Sequence, residues 1–248
     1  MPLMPRYARP LFGVNAALAW IAVGLQLTLS VSGYYVDAVN PAKPTILGNT
    51  AAGVDTPLER FFDTMSYFTI WSNIVVAVVL TALTLRPGWF VRTDASGAIW
   101  RALRLDSVVM IVITGVVYNL LLASGGKTGL DAVSNTLLHI AVPIVTLVVW
   151  ILAGPRDLIG GSTLGLFLVL PLAWIVFALV RGQMVGAYPY PFLDVATNGW
   201  ASVLAFLAVI LVVAVLLALV LWAIDAALAW TMRPAAARAS TEPVANEE

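Results

Sequence analysis

The 248 residues contain one histidine, His139, set in an almost wholly apolar segment with Asn135 one helical turn before it. An ionisable side chain at membrane depth is costly, so a chain that keeps one there invites a chemical reading. A buried neutral imidazole is a suitable general base, and a threonine hydroxyl, a weak nucleophile at neutral pH, needs such a base. Thr69 meets that need, and Ser72 and Asn73 at i+3 and i+4 put three polar groups on one face of a second apolar segment. Thr69 with His139 makes a minimal nucleophile–base pair, while Asn73, Asn135 or Tyr118 can donate hydrogen bonds to an oxyanion. Asn119 and Arg181 add polar groups near the ends of two further apolar segments. Taken singly, Ser72, Asn119 and Asn135 read as groups that bond their own helix or join helices. Competing chemistries fit less well. One histidine without cysteine cannot build a usual zinc site, and neither a GxSxG elbow nor a phosphate-cradling glycine loop occurs. No metal or organic cofactor is implied.

For these residues to act together, separate helices must bring them to one place. The chain is 61% hydrophobic and 10% charged, more apolar than a water-soluble core of this length can hide. Apolar runs at 11–31, 64–85, 102–123, 133–152, 163–180 and 200–230 approach or exceed the roughly 20 residues a membrane helix needs. Period-two alternation is absent, so the sequence predicts an all-α bundle of six transmembrane helices rather than a barrel. One domain is expected over 1–232, followed by a disordered cytoplasmic tail, 233–248, rich in Ala and Glu. The first run is longer than a signal-peptide core and reads as a true span. Arg6, Arg9, Arg86, Arg92, Arg101, Arg104, Arg156, Arg233 and Arg238 fall on one side, against Lys43, Arg60, Lys127 and Arg181 on the other. Both termini are therefore expected in the cytoplasm. A formal net charge of zero gives no electrostatic case for nucleic acid.

With that threading, Thr69 and His139 both lie roughly 8–9 Å into the outer leaflet at the rise of one helical residue. Tyr118, Asn119 and Arg181 reach the same layer from spans three and five. Pro143 has no N–H for the carbonyl four residues earlier, which belongs to His139, so a kink should expose a polar backbone group beside the imidazole. Thr56-Pro57-Leu58-Glu59 is a capping box, which starts helix two before the membrane does. Tyr188-Pro189-Tyr190-Pro191-Phe192-Leu193-Asp194 is expected to be extended at the outer interface. Asp106 and Asp225 read as structural acids that can pair with Arg104 or Arg233 or reach the interface. Asp194, Asp63 and Tyr118 are candidates to orient His139.

Phe68-Thr69 early in span two, Asn135-x-x-x-His139 with a following proline, and Tyr190-Pro191-Phe192-Leu193-Asp194 before the last span together resemble a known family. It is that of the androgen-induced and androgen-dependent TFPI-regulating membrane proteins, with their bacterial six-span relatives. The resemblance covers most of the membrane region. It implies a threonine hydrolase of fatty acid esters of hydroxy fatty acids, with Thr69 as nucleophile and His139 as the essential histidine. It also implies a multi-pass protein of a bacterial plasma membrane. The chain departs from the family in a longer first loop and in a proline one residue closer to the histidine. The expected partner is thus a lipid or fatty-acyl ester. Tyr190, Asp194 and Arg181 join the substrate-binding or oxyanion candidates. The alternative reading is a small transporter or lipid-binding protein in which His139 is proton-linked or binds a ligand.

Overall fold

The computed structural model describes residues 4–35, 56–123 and 127–232. Its helices are α1 (Ala8–Val31), α2 (Pro57–Met65), α3 (Phe68–Leu85), α4 (Ala95–Val117), α5 (Gly129–Thr136), α6 (Val142–Ala153), α7 (Gly161–Leu166), α8 (Val169–Val185) and α9 (Val195–Met232). A π-helical turn, Tyr118–Leu122, extends α4, and a second, Leu137–Ala141, joins α5 to α6. Six rods are long and apolar enough to cross a bilayer: Ala8–Val31, Phe68–Leu85, Ala95–Leu122, Gly129–Ala153, Gly161–Val185 and Val195–Met232. Among the described residues there is no strand, so the chain is an all-α, six-span bundle as the hydropathy pattern requires. Residues 36–55 of the long first loop and the tail 233–248 lie outside the described residues.

The packing is tightest where small residues let helices approach. Ala8, Ala16, Ala19 and Ala22 of α1 are all buried, and α1 packs most heavily on α3, which in turn lies on α4. Phe12, Val76, Val79, Leu83 and Val142 fill the seam. Asn15 and Thr146 bond across it at 3.2 Å, a buried pair that fixes α1 against α6. By contrast α9 shows a broad apolar face, with Leu204, Val212 and Leu216 more than half exposed. In water such a face would be a liability, whereas hydrocarbon covers it without cost. Near its start α9 breaks at Gly199, whose φ of 74° suits a residue without a side chain.

The capping box forms as expected. Thr56 accepts from the Glu59 N–H, and the Glu59 carboxylate accepts from the Thr56 N–H at 2.7 Å. The helix it starts does not run on into the membrane, however. It ends at Met65, Tyr67 turns extended (φ −80°, ψ 130°), and α3 starts afresh at Phe68. Side chains satisfy the carbonyls this break frees: the Trp71 indole N–H donates to Met65 O at 2.7 Å and that of Trp174 to Ser66 O at 3.1 Å. The reset places Thr69 in the first turn of a helix rather than in the middle of one. At the other end of the bundle Asp225 pairs with Arg156, at 3.5 Å, rather than with Arg104, while Arg233 lies outside the described residues.

Trp174→Phe keeps the ring in its buried place but strands the Ser66 carbonyl. Loss of a donor to a buried acceptor costs about 1–3 kcal/mol. Thermal unfolding of the purified variant should show a drop of that size, and an unchanged midpoint would mean that the break does not depend on the indole.

Candidate active site

Thr69, buried at the N-terminus of α3, has its hydroxyl oxygen 3.2 Å from His139 Nε2. The other imidazole nitrogen, Nδ1, lies 3.1 Å from the backbone carbonyl of Asn135. A carbonyl can only accept, so in the neutral ring Nδ1 carries the proton and Nε2 turns a lone pair toward Thr69. That is the tautomer a general base requires. Local backbone explains the alignment. His139 sits in the middle of the π turn Leu137–Ala141, and the wider turn swings the ring off the track a regular helix would give it.

A second π turn faces it. Tyr118, at its start, stacks on His139 with ring centroids 3.7 Å apart and planes 18° from parallel. Asn119, the next residue, donates to Gly115 O at 2.7 Å and to His139 O at 3.2 Å. The latter is the carbonyl that Pro143 leaves without its helical N–H, so the expected exposed backbone group is present and is taken up by a side chain. The close approach of α4 to the proline requires Gly115. A Cβ there would lie 3.1 Å from Pro143 Cβ and 3.4 Å from His139 O.

Tyr190 completes the group from the far side. Its hydroxyl is 3.3 Å from both Thr69 N and Thr69 Oγ1. The side chain of Tyr67 makes no capping bond to the start of α3, and the Thr69 N–H finds its acceptor in a tyrosine 121 positions away. Burial pushes the Tyr190 phenol above its ordinary value, against the pull of its bonds to Thr69, so it remains a donor. With the Thr69 proton directed at His139, the Tyr190 proton is directed at Thr69 Oγ1. Prolines 189 and 191 hold the segment out of a long helix, though Pro191–Leu193 forms a short 3₁₀ turn rather than a fully extended strand.

Several candidates are structural instead. Ser72 donates to Thr69 O at 3.0 Å and shares a 2.8 Å bond with Thr114, so its hydroxyl faces away from His139. Asn73 donates to Thr69 O (2.8 Å) and to Leu138 O (3.3 Å), tying α3 to the His139 turn. Asn135 acts through its carbonyl, while its side chain lines the cavity beside His139. Arg181 forms an ion pair with Asp63. Asp194 caps α9, accepting from Ala196 N at 3.0 Å and Thr197 N at 3.2 Å, and lies outside the Thr69 group. The orienter that charge alone suggests is therefore replaced by a carbonyl and a stacked ring. Among the described residues no three His, Cys, Asp or Glu side chains gather to hold a metal ion.

Two cavities meet at Thr69, Tyr118, Leu122 and Tyr190. One is a narrow apolar slot of about 60 Å³, walled by Phe68, Ile113, Trp174, Phe192 and Leu207 among others. The other, of about 350 Å³, is mixed in character and reaches Gln26, Tyr35, Lys127 and Asp131. Its rim is a network not evident in the sequence: Lys127 pairs with Asp131 at 3.1 Å, Tyr35 donates to Asp131 at 3.1 Å, and Ser134 donates to Gln26 at 2.7 Å. Gln26, a polar residue inside the first span, was the available signal for it. Compared with protein-family models, curated proteins and solved structures, the chain finds no match in any of the three.

In an ordinary helix Gly→Ala stabilises by about 0.5–1 kcal/mol. Gly115→Ala should do the reverse, because the proline ring and the Asn119-held carbonyl cannot retreat and overpacking costs about 1–3 kcal/mol. A lowered thermal midpoint checks this, and a raised one would refute the close packing of the two π turns.

Proposed function

We propose that the protein is an integral membrane hydrolase of a lipid ester, with Thr69 as nucleophile and His139 as base. The observation that carries the reading is the 3.2 Å approach of Thr69 Oγ1 to His139 Nε2 with Nδ1 fixed by the Asn135 carbonyl. Thr69 Oγ1 attacks the ester carbonyl carbon while Nε2 takes its proton. The tetrahedral intermediate collapses, the C–O bond to the alcohol breaks, and the imidazolium returns the proton to the departing oxygen. Water, deprotonated by the same nitrogen, then releases the acid from Thr69. Tyr190, whose hydroxyl lies 3.3 Å from Thr69 Oγ1 at rest, turns its proton to the substrate's carbonyl oxygen as negative charge develops there, and the α3 N-terminus adds the positive end of a helix dipole beside it. Tyr118 gives the transient imidazolium an aromatic face, which stabilises a desolvated cation.

The apolar slot suits a fatty-acyl chain, and the mixed cavity suits the polar part of the same molecule. Both supports agree with the family resemblance, under which the substrate is a fatty acid ester of a hydroxy fatty acid entering from the outer leaflet of a bacterial plasma membrane. The test is labelling of purified protein by a fluorophosphonate, which reports the activated hydroxyl whatever the natural ester. Thr69→Ala should abolish labelling, and His139→Ala should slow it by about 10²–10⁴-fold. Labelling that persists in Thr69→Ala removes the nucleophile and with it this mechanism. Tyr190→Phe should slow labelling by roughly 10²-fold. If the rate instead stays at wild type, the tyrosine is only a cap.

A further inference from the structure

The apolar slot beside Thr69 has a direction and an end. Its wall on α4 runs along one helix face from Tyr118 through Thr114 and Met110 to Val109, and its wall on α9 runs from Leu207 to Ala214. At the Thr69 end Leu122 and Phe192 are half-buried, so the slot opens there. At the far end Val109 and Met110 are fully buried and Ala214 is 3% exposed. Beyond them Leu105, Val108, Ala218 and Leu221 pack into one buried cluster with Val109 and Ala214, which closes the slot.

From Tyr118 to Val109 the depth is about 13 Å at the helical rise. Spread over that depth, the volume of about 60 Å³ open to the centre of a water molecule is a tube whose walls stand roughly 2.6 Å from its axis. Carbon atoms in contact keep about 3.5–4.0 Å apart, so an alkyl chain has a radius of about 2 Å and fits singly. A branched chain or a second chain does not fit. The polar groups along the way are already engaged, the Thr114 hydroxyl with Ser72 at 2.8 Å and the Trp174 N–H with Ser66 O at 3.1 Å, so the slot asks for plain hydrocarbon. An extended chain advances about 1.2 Å per bond, and about 11 carbons therefore reach the floor.

We propose that the slot is a ruler for the acyl group of the ester, taking one unbranched chain of about 11 carbons, with Met110 and Ala214 as the residues that set its length. The inference rests on Thr69 as the acyl acceptor, because the count of carbons starts at its hydroxyl. Selection does not come from burying methylenes, since the chain leaves a bilayer as apolar as the slot. It comes from the floor, where a longer chain has to bend or push packed side chains apart.

The test is labelling of the purified full-length protein by ethyl alkylfluorophosphonates, whose alkyl chain takes the acyl position and is varied from about 6 to about 16 carbons. The rate should change little up to about 11 carbons and fall by roughly 5–100-fold beyond. Ala214→Phe raises the floor and should move the fall to chains several carbons shorter. Met110→Ala lowers the floor and should move it to chains about three carbons longer. Should Ala214→Phe fail to fold, Met110→Ala decides alone. Binding of straight-chain fatty acids of the same lengths to Thr69→Ala, read by calorimetry, keeps the ruler apart from the nucleophile. Labelling that persists in Thr69→Ala removes the nucleophile, whereas the ruler is overturned if affinity for that variant shows no break with chain length, or if the break stays at one length when Ala214→Phe or Met110→Ala is added.

Discussion

No water is at hand in hydrocarbon to take up a freed backbone N–H or C=O, so every departure from regular helix must be satisfied by the protein itself. The Thr69–His139 site is built from such departures. The break at Ser66 and Tyr67 exposes the first N–H groups of α3, and Tyr190 bonds the one belonging to Thr69. Pro143 frees the His139 carbonyl, and Asn119 bonds it. Two π turns carry Tyr118 and His139 into contact. Each group that repairs the backbone thereby fixes a chemical side chain, and the precision of the site follows from a demand the bilayer imposes on the whole fold.

That demand also explains what could be read from the sequence and what could not. Six apolar runs predict six spans because hydrocarbon thickness sets their length, a constraint local to each segment. The common depth of Thr69 and His139 follows from helical rise, and the Pro143 carbonyl from covalent structure. The break before Phe68 was hidden, since Phe62-Asp63-Thr64-Met65 is as compatible with a continuing helix as with an ending one. What ends it is tertiary: indoles from α3 and α8 that hold the carbonyls. The π turns were hidden for the same reason, and so were the partners of Arg181 and Asp194. Both were among the substrate-binding candidates, whereas Asp63 pairs with Arg181 and the start of α9 takes Asp194. Sequence separation, 118 positions for Arg181 and Asp63, puts such pairings beyond any local pattern.

The absence of a carboxylate behind His139 follows from the same physics. An aspartate there would be an anion in a desolvated site whenever the imidazole is neutral, at a cost that only permanent pairing offsets. The Asn135 carbonyl is a fixed dipole that imposes the same tautomer with no charge to stabilise in the resting state. It gives the imidazolium less help than an anion would, and Tyr118 supplies part of the difference through its ring face. In a water-filled cleft a carboxylate is the stronger orienter. In a desolvated site without a permanent counter-charge, the carbonyl and the stacked ring impose the same geometry at lower desolvation cost.

Charge is treated differently at the two ends of the bundle. Around Thr69 the polar atoms are neutral, short-range and bonded in chains, so a proton can move from Thr69 to His139 without a large rearrangement. Around Trp150 two guanidinium groups approach one indole, at 5.7 Å for Arg104 and 4.8 Å for Arg156, and both feel the Asp225 carboxylate, which pairs directly with Arg156. The Arg156–Asp225 pair resists displacement, because separating the two leaves each charge alone at low dielectric. The helices that carry Thr114 and Pro143 at one end carry Arg104 and Trp150 at the other. Arg156 also donates to the Trp150 carbonyl, so the pair ties α9 to the end of α6, the helix that begins beside His139.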